Sequence, residues 1–329
     1  MTTMDKKNVS MNDVAIAAGV SLKTVSRVIN EPDSVRESTR DKVHSAMEEL
    51  GFRTNFAARS LKLGRYGCIG VVLFHLSGGA VDMIDGIADA AEERGFALTM
   101  IKKRAGEKMT LADAARRMSQ LPVDGMIFNL RQMVDDFDTF EAPKDLKTVI
   151  ITPMEHPTCS TVSDDQEGGA RMACEYFLNR GHKNVYFVSG KKEALSSQCR
   201  MKGWRAALEE PLQGDWNADS GYAAGLVLAD KPDCTAVLAA NDCMANGVMM
   251  ALRDKGLNVP DDVSVIGFDD ELYKTIPNSI LTSVKFRHRE LGIRALNEVV
   301  AGLEAPSSRS RTLVSGVLVE RSSVKDLRA

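Results

Sequence analysis

The stretch NDVAIAAGVSLKTVSRVIN, residues 12–30, decides how the N-terminal part of this chain is read. It divides into two short helical patterns around one glycine. In the first, Val14, Ala17 and Ala18 recur at helical spacing, and Asn12 stands where an N-cap is expected. Gly19 supplies the turn, and Ser21 is placed to cap the second helix. There, Val25, Val28 and Ile29 form an i, i+3, i+4 apolar seam. Lys23, Ser26, Arg27 and Asn30 fall at i, i+3, i+4 and i+7 on another face, which carries hydrogen-bond donors and no acid. A helix-turn-helix needs this layout, because its second helix buries one side and reads the DNA major groove with the other. The same spacing also fits a surface helical hairpin whose Lys23 and Arg27 are merely solvated.

Residue order separates these readings better than spacing does. The run Asp13–Asn30 resembles the DNA-binding headpiece of the lactose-repressor (LacI/GalR) family, and V-S-x-x-T-V-S-R-V-I-N at 20–30 is highly specific for it. The resemblance implies a sequence-specific regulator of transcription, a repressor, that binds double-stranded operator DNA. Lys23 and Arg27 would reach base edges, and Leu22 would offer an apolar contact to a thymine methyl. Ser21, Thr24, Ser26 and Asn30 are better suited to phosphates that fix the docking. Residues 38–50 read as a third helix, with Val43, Ala46, Met47 and Leu50 inward and Gly51 as its stop. The head is thus expected over 1–54. After it, Asn55–Lys62 (NFAARSLK) is helical in propensity but too short to stand alone in water. From its residues it is a plain linker or a helix that forms on a partner. The resemblance implies the second, a hinge helix within 55–65 that folds on DNA. Leu61 would wedge into the minor groove, with Asn55, Ala58 and Arg59 along the groove and backbone.

Charge is spread to match. The formal net charge is −3, yet residues 1–65 hold eleven Lys and Arg against eight Asp and Glu, so the head is mildly basic and the remainder acidic. Contact with nucleic acid is therefore expected at one end only. The six cysteines form no CxxC or Cys/His cluster. Buried free thiols are expected, with neither disulfides nor metal. No apolar run approaches membrane-spanning length, and MTTMDKKNVS has no apolar signal core. That reads as a cytoplasmic protein without a membrane partner.

From Tyr66 the pattern becomes alternating strands and helices. Strands are expected at 68–74, 97–102, 125–130 and 148–152, with helices at 80–94, about 110–120 and near 135–140. The rhythm restarts with strands at 184–190, 235–241 and 263–269 and helices near 166–180, 200–210, 221–229 and 243–255. Late strands at 281–286 and 316–321 flank a helix at 289–302. The fold class is accordingly a small all-α helix-turn-helix headpiece plus an α/β periplasmic-binding-protein-like core of two doubly wound parallel-sheet lobes. By the resemblance the chain crosses between lobes three times, so that 66–329 divides into an N-lobe of about 66–162 and 289–315 and a C-lobe of about 163–288 and 316–329.

Doubly wound sheets bind ligands beyond the carboxyl ends of their strands. Those ends carry His75, Lys102, Asn129, Thr152, Ser189, Asn241, Asp242, Asp269 and Asp270. This polar rim suits a strongly hydrogen-bonding small molecule. The resemblance sharpens the rim. It implies Arg200 (in SQCRMKGW) as a grip on ligand hydroxyls and Trp216 (in GDWNADSGY) as a stacking platform. Trp204 reads as core. Asn241 takes a binding position, with Asp242 free to cap the next helix, and Asp269 is an acceptor. Asp165 is placed near the lobe junction, and Phe286 and His288 at the crossover. The first lobe departs from the family pattern: Gly78, Gly79 and Ala80 stand where an aromatic loop is common, and Thr152–Pro153 where an acid is common.

The expected function is therefore a homodimeric regulator on a palindromic operator, controlled by a small, carbohydrate-like effector in the cleft. The alternative is a nucleoside- or purine-responsive regulator using a corepressor. The chain ends without a leucine heptad tail, which favours a dimer over a tetramer. An enzyme is disfavoured. The chain has no P-loop, G-x-G-x-x-G, nucleophile elbow or H-E-x-x-H. No catalytic residue or cofactor is therefore expected. A transport receptor shares the core but has neither this head nor such an N-terminus.

Overall fold

The computed structural model describes residues 9–52, 64–76, 78–204, 210–272, 276–305 and 309–328. The chain forms two compact units, Met1–Tyr66 and Gly67–Ala329.

In the first unit, α1 spans Met11–Ala18, α2 Leu22–Asn30 and α3 Glu37–Leu50. The cap of α1 is Ser10, not Asn12. Ser10 and Asp13 form a reciprocal capping box, in which the Asp13 carboxylate accepts from the Ser10 amide at 2.8 Å. Two orphan donors are satisfied by one pair of side chains. Gly19 takes the left-handed conformation at φ 64°. Any residue with a side chain would be strained there. Ser21 caps α2 by accepting from the Thr24 amide at 3.1 Å. Val14, Ala15, Val25, Val28, Val43 and Ala46 are the buried core, with Ile29, Met47 and Phe52 packed around it. Ala17 is exposed, against expectation, and Ala15 takes its place. At about 100° per residue, Val14, Ala15 and Ala18 share one arc of the helix, and Ala17 lies outside it. Leu50, expected inward, is exposed at the last turn of α3, where Phe52 folds back onto the core instead. The hinge stretch Asn55–Lys62 lies outside the described residues.

The second unit holds two six-stranded sheets. The first is built from β1 (Cys68–Leu73), β2 (Ala97–Lys102), β3 (Gly125–Asn129), β4 (Lys147–Ile151), β5 (Ser160–Asp164) and β11 (Arg311–Val314), in the order β11-β5-β4-β3-β1-β2. All of its pairings are parallel. Three helices serve it: α4 (Ala80–Glu93), α5 (Leu111–Met118) and α10 (His288–Glu304). The second sheet holds β6 (Tyr186–Ser189), β7 (Leu212–Gln213), β8 (Ala236–Ala239), β9 (Ser264–Phe268), β10 (Thr282–Lys285) and β12 (Val317–Val319). Its order is β12-β10-β9-β8-β6-β7, and only β12 runs antiparallel to its neighbour. Its helices are α6 (Gln166–Leu178), α7 (Leu195–Gly203), α8 (Ala218–Ala229) and α9 (Asp242–Asp254). The chain passes between sheets at β5–α6, β10–α10 and β11–β12, so three short segments join the lobes. This is the doubly wound two-lobed core that the strand and helix rhythm implied.

Three strands escape the sequence reading. β5 is STVSD, polar in composition yet buried at all five positions, between β4 and β11. β7 has two residues, and β11 is a half-exposed edge. The helix expected near 135–140 is absent. Those residues form turns in which the Asp136 carboxylate accepts from the Leu111 and Ala112 amides, at 2.9 and 2.8 Å. The first amides of α5, which have no partner within the helix, are thus satisfied from a distance. The helix expected at 200–210 begins earlier, at Leu195. Five cysteines are buried and Cys243 is exposed. Among the described residues no helix is long and apolar enough to cross a membrane.

Candidate functional site

The exposed face of α2 is the first candidate. Burial of Val25 and Val28 turns Leu22, Lys23, Arg27 and Asn30 outward, and Leu22 keeps 48% of its surface exposed. The small polar residues are partly occupied within the helix. The Ser21 and Thr24 hydroxyls share a hydrogen bond of 2.8 Å, and the Asn30 amide donates to the Ser26 carbonyl, also at 2.8 Å. Among the described residues Arg27 has only a loose, exposed ion pair with Glu31 at 3.9 Å. Such a pair is worth little in water. Leu22, Lys23 and Arg27 are thus the side chains whose ends remain available.

The second candidate lies within the core, where strand ends of both sheets face a cavity of about 470 Å³. The sheets reverse strand order beside β1 and β6. Folds of this kind open a crevice at those points. Its best-fixed member is Arg200 on α7, whose side chain is 4% exposed. Its guanidinium donates to Gln166 Oε1 at 2.7 Å, to Asp269 Oδ1 at 3.0 Å and to the Ala240 carbonyl. It also lies 4.3 Å from the Phe268 ring centroid. Three of its five N–H donors are consumed by the protein, so Arg200 is as much a strut beneath Asp269 as a ligand grip. Trp216 is held from two sides. The Asn241 side-chain amide donates to its carbonyl at 2.9 Å, and a Cβ at Gly190 would collide with the indole. Both Trp216 (φ 79°) and Asp269 (φ 88°) adopt left-handed backbone. That strain marks positions fixed by their surroundings.

At the crossover, His288 begins α10 and its Nδ1 lies 3.1 Å from Asp164 Oδ2. Gly79 leaves room for this ring, since a Cβ there would overlap it. Burial alone lowers an imidazole pKa, but the hydrogen bond and negative charge of Asp164 outweigh it, with Asp269 adding to the effect against Arg131. His288 therefore ends above its ordinary 6.5. The bonded anion favours the charged ring more than desolvation disfavours it. A raised histidine pKa gives stability that is complete below about pH 6.5 and is lost as pH rises through the folded value. His75, His156 and His182 are lowered by burial and act in the opposite sense. The diagnostic is therefore a difference. The melting-temperature gap between wild type and His288→Gln is expected to be widest below the ordinary histidine value of 6.5 and to narrow as pH rises above it; a gap independent of pH overturns the assignment.

Of the ten expected cleft residues, His75, Asn129, Thr152, Arg200, Trp216, Asn241, Asp269 and His288 line this one cavity. Two do not. Asp165 is the N-cap of α6, its carboxylate accepting from the Gly168 amide at 2.9 Å, and the residue facing the cavity is its neighbour Asp164. Strand β5 ends at Asp164. Alternation there sends adjacent side chains to different sides. Phe286 is 3% exposed and packs in the second lobe's core, stacked on Phe268 with a 6.0 Å centroid separation. The rest of the rim also separates. Lys102 is an exposed end of the edge strand β2. Ser189 is buried against the Leu212 carbonyl, and Asp270 pairs with Arg321 at 2.7 Å. Asn241 itself caps α9, while Asp242 accepts from Ser283 Oγ at 2.6 Å and from the Glu271 amide; burial pushes its carboxyl up to about 7. Trp204 packs on Phe187 and donates to the Val185 carbonyl, as core. The sequence reading does not reach Arg131, Gln132, Gln166, Lys191, Ser196 and Glu271, which also line the cavity. Most lie two or three residues beyond a strand end, in loops with no periodicity to mark them.

The geometry has close relatives. Residues 10–55 match the model of bacterial regulatory proteins of the lacI family, and residues 174–324 that of the periplasmic binding protein-like domain. The HTH-type transcriptional repressor PurR of Vibrio cholerae is 30% identical over 332 residues, covering 97% of this chain and 98% of that protein. The chain belongs to the LacI family. Two solved structures cover nearly all of it. The lac repressor dimer bound to operator and the anti-inducer ONPF superimposes with a TM-score of 0.80 at 27% identity, over 97% of this chain and 100% of that one. The transcriptional regulator CelR in complex with cellobiose gives 0.66 at 26%, over 96% and 99%. This LacI-family chain is a DNA-binding transcriptional repressor and not an enzyme; operator DNA and a small-molecule effector are its partners.

Proposed function

We propose that the protein represses as a homodimer on a palindromic operator and that a carbohydrate-like effector in the inter-lobe cavity sets its affinity for DNA. The observation that carries this reading is a cavity lined from both lobes by polar side chains around the indole of Trp216. Amides and carboxylates suit hydroxyl groups, and a ring face suits the apolar face of a sugar. The lac repressor dimer on its operator and the CelR–cellobiose complex support the dimer and the carbohydrate. A nucleoside- or purine-type corepressor is the second reading. Trp216 favours it equally, because an indole stacks on a planar base as well as on a sugar. The working division is a head over 1–54, a hinge over 55–65 and a core over 66–329, with lobes of about 66–162 and 289–315, and about 163–288 and 316–329. Effector binding alters lobe closure, and hinge helices form or melt with it.

In this reading Lys23 and Arg27 read bases, Leu22 meets a thymine methyl, and Ser21, Thr24, Ser26 and Asn30 seat the head on phosphates. Leu61 is the wedge, with Asn55, Ala58 and Arg59 beside it. Selection of high-affinity sites from random duplex DNA by the full-length protein is expected to return a palindrome. On that duplex Arg27→Ala costs about 1–3 kcal/mol and relaxes preference at one base position per half-site. Leu61→Ala reduces the bend. A consensus without two-fold symmetry overturns the dimer, unchanged specificity in Arg27→Ala overturns base reading, and an unchanged bend overturns the wedge.

A further inference from the structure

Most charges in the cavity wall already have partners. Arg200 is bonded to Asp269, His288 to Asp164, and the Asp215 carboxylate accepts from the Asn217 amide at 2.9 Å. Glu271 is likewise engaged. Arg131 is different. It follows β3 on the first lobe, and among the described residues its guanidinium makes no hydrogen bond and no ion pair. Asp269, Asp164 and Glu271 act on it electrostatically, but none lies within ion-pair distance. One terminal nitrogen stands 3.9 Å from where a Cβ of Gly78 would be, in the glycine-bearing loop after β1. Across the cavity, Lys191 follows β6 on the second lobe. It too lacks an ion pair among the described residues and acts only at a distance, on Asp215.

A guanidinium cannot shed its proton to escape burial, so an unpaired one in a cavity wall favours an incoming anion. Its planar fork fits the two oxygens of a carboxylate or a phosphate. We propose that the effector carries an acid group, carboxylate or phosphate, which docks on Arg131 with Lys191 adding its charge from the opposite lobe, while the uncharged part of the molecule meets Trp216, Asn129 and Asp269. A neutral sugar leaves Arg131 unpaired. The acid group also gives a reason for closure, since it joins one cation from each lobe. The inference rests on the cavity being the effector site.

The test uses full-length protein, with thermal stability and tryptophan fluorescence as readouts and Trp216→Phe as the control for signal origin. The probes are aldonic and uronic acids, hexose phosphates, and the neutral hexoses and alditols of the same skeletons. An acid is expected to bind at least about thirtyfold more tightly than its neutral counterpart. Arg131→Gln is expected to lose about that factor for the acid only, Arg131→Lys to keep part of it, and added salt to weaken binding. Uronic or aldonic hits assign a carboxylate, and hexose phosphate hits a phosphate. The proposal is overturned if no acid binds, if a neutral probe binds as well as its acid, or if Arg131→Gln leaves acid binding unchanged. A neutral probe that quenches Trp216 overturns it while sparing the cavity as effector site; binding indifferent to both Trp216 and Arg131 overturns both.

Discussion

Arg200→Met lowers the melting temperature of the core by about 6–12 °C and abolishes its response to effector. The stem of methionine occupies much of the same volume between Phe268 and Phe286, so the loss is chiefly one of charge and hydrogen bonds. What remains is an Asp269 carboxylate, a Gln166 oxygen and an Ala240 carbonyl, each deprived of its donor. Breaking a buried ion pair from one side costs about 3–5 kcal/mol, because the surviving charge stays desolvated. The Asp269 side chain is 21% exposed, so water recovers part of that and the lower end applies. At about 2–4 °C per kcal/mol for a domain of this size, the stated interval follows. Asp269→Asn is the companion. It keeps an acceptor for Arg200 while removing the charge, so its melting temperature falls less, whereas the effector response is still lost. Calorimetry with fluorescence titration separates the cases. An Arg200→Met protein with wild-type stability sinks the strut, and a normal dose response in both variants sinks the assignment of this pair to the effector.

That coupling between Arg200 and Asp269 marks where sequence reasoning stops. Each residue is identifiable singly, because a strand end or a family-like segment marks it; that they bond to each other, 69 positions apart, depends on how α7 lies against β9. The helix-turn-helix is legible because its signals are local, in one turn glycine, one serine cap and one apolar seam. The cap at Asn12 is wrong because an N-cap weighed by itself ignores the reciprocal pair of Ser10 and Asp13. Parallel strands that read as apolar runs, such as Val71 and Val72 or Ile127 and Phe128, fall within a residue or two of their expected places. Strand β5 escapes because its burial is imposed by neighbours rather than by its own side chains. Asp164 escapes for the same reason, leaving Asp165 as the apparent candidate, although its side chain serves α6. Arg131 carries no signal at all. A loop arginine looks like any solvated arginine until the opposite lobe is in place.

Val28→Asp is expected to abolish specific DNA binding while leaving the melting temperature and effector binding of the core unchanged. Val28 is 2% exposed and belongs, among the described residues, to a buried set of six, three others of which are valines beside it or facing it from α1 and α3. A domain this small has little stability in reserve, because it buries a low fraction of its surface. Placing a carboxylate in that core without a partner costs about 3–5 kcal/mol, comparable to the whole folding free energy of such a head. The unfolded head cannot present Lys23 and Arg27 on one helix face, so affinity falls to the non-specific level, roughly a thousandfold or more below that for the selected site. The core is a separate compact unit whose three apolar clusters, among the described residues, do not include Val28. Arg27→Ala, one residue away on the exposed face, leaves the head folded and weakens DNA binding far less. If the two variants bind alike, recognition does not run through a folded α2; if Val28→Asp also destabilises the core, the two units are not independent.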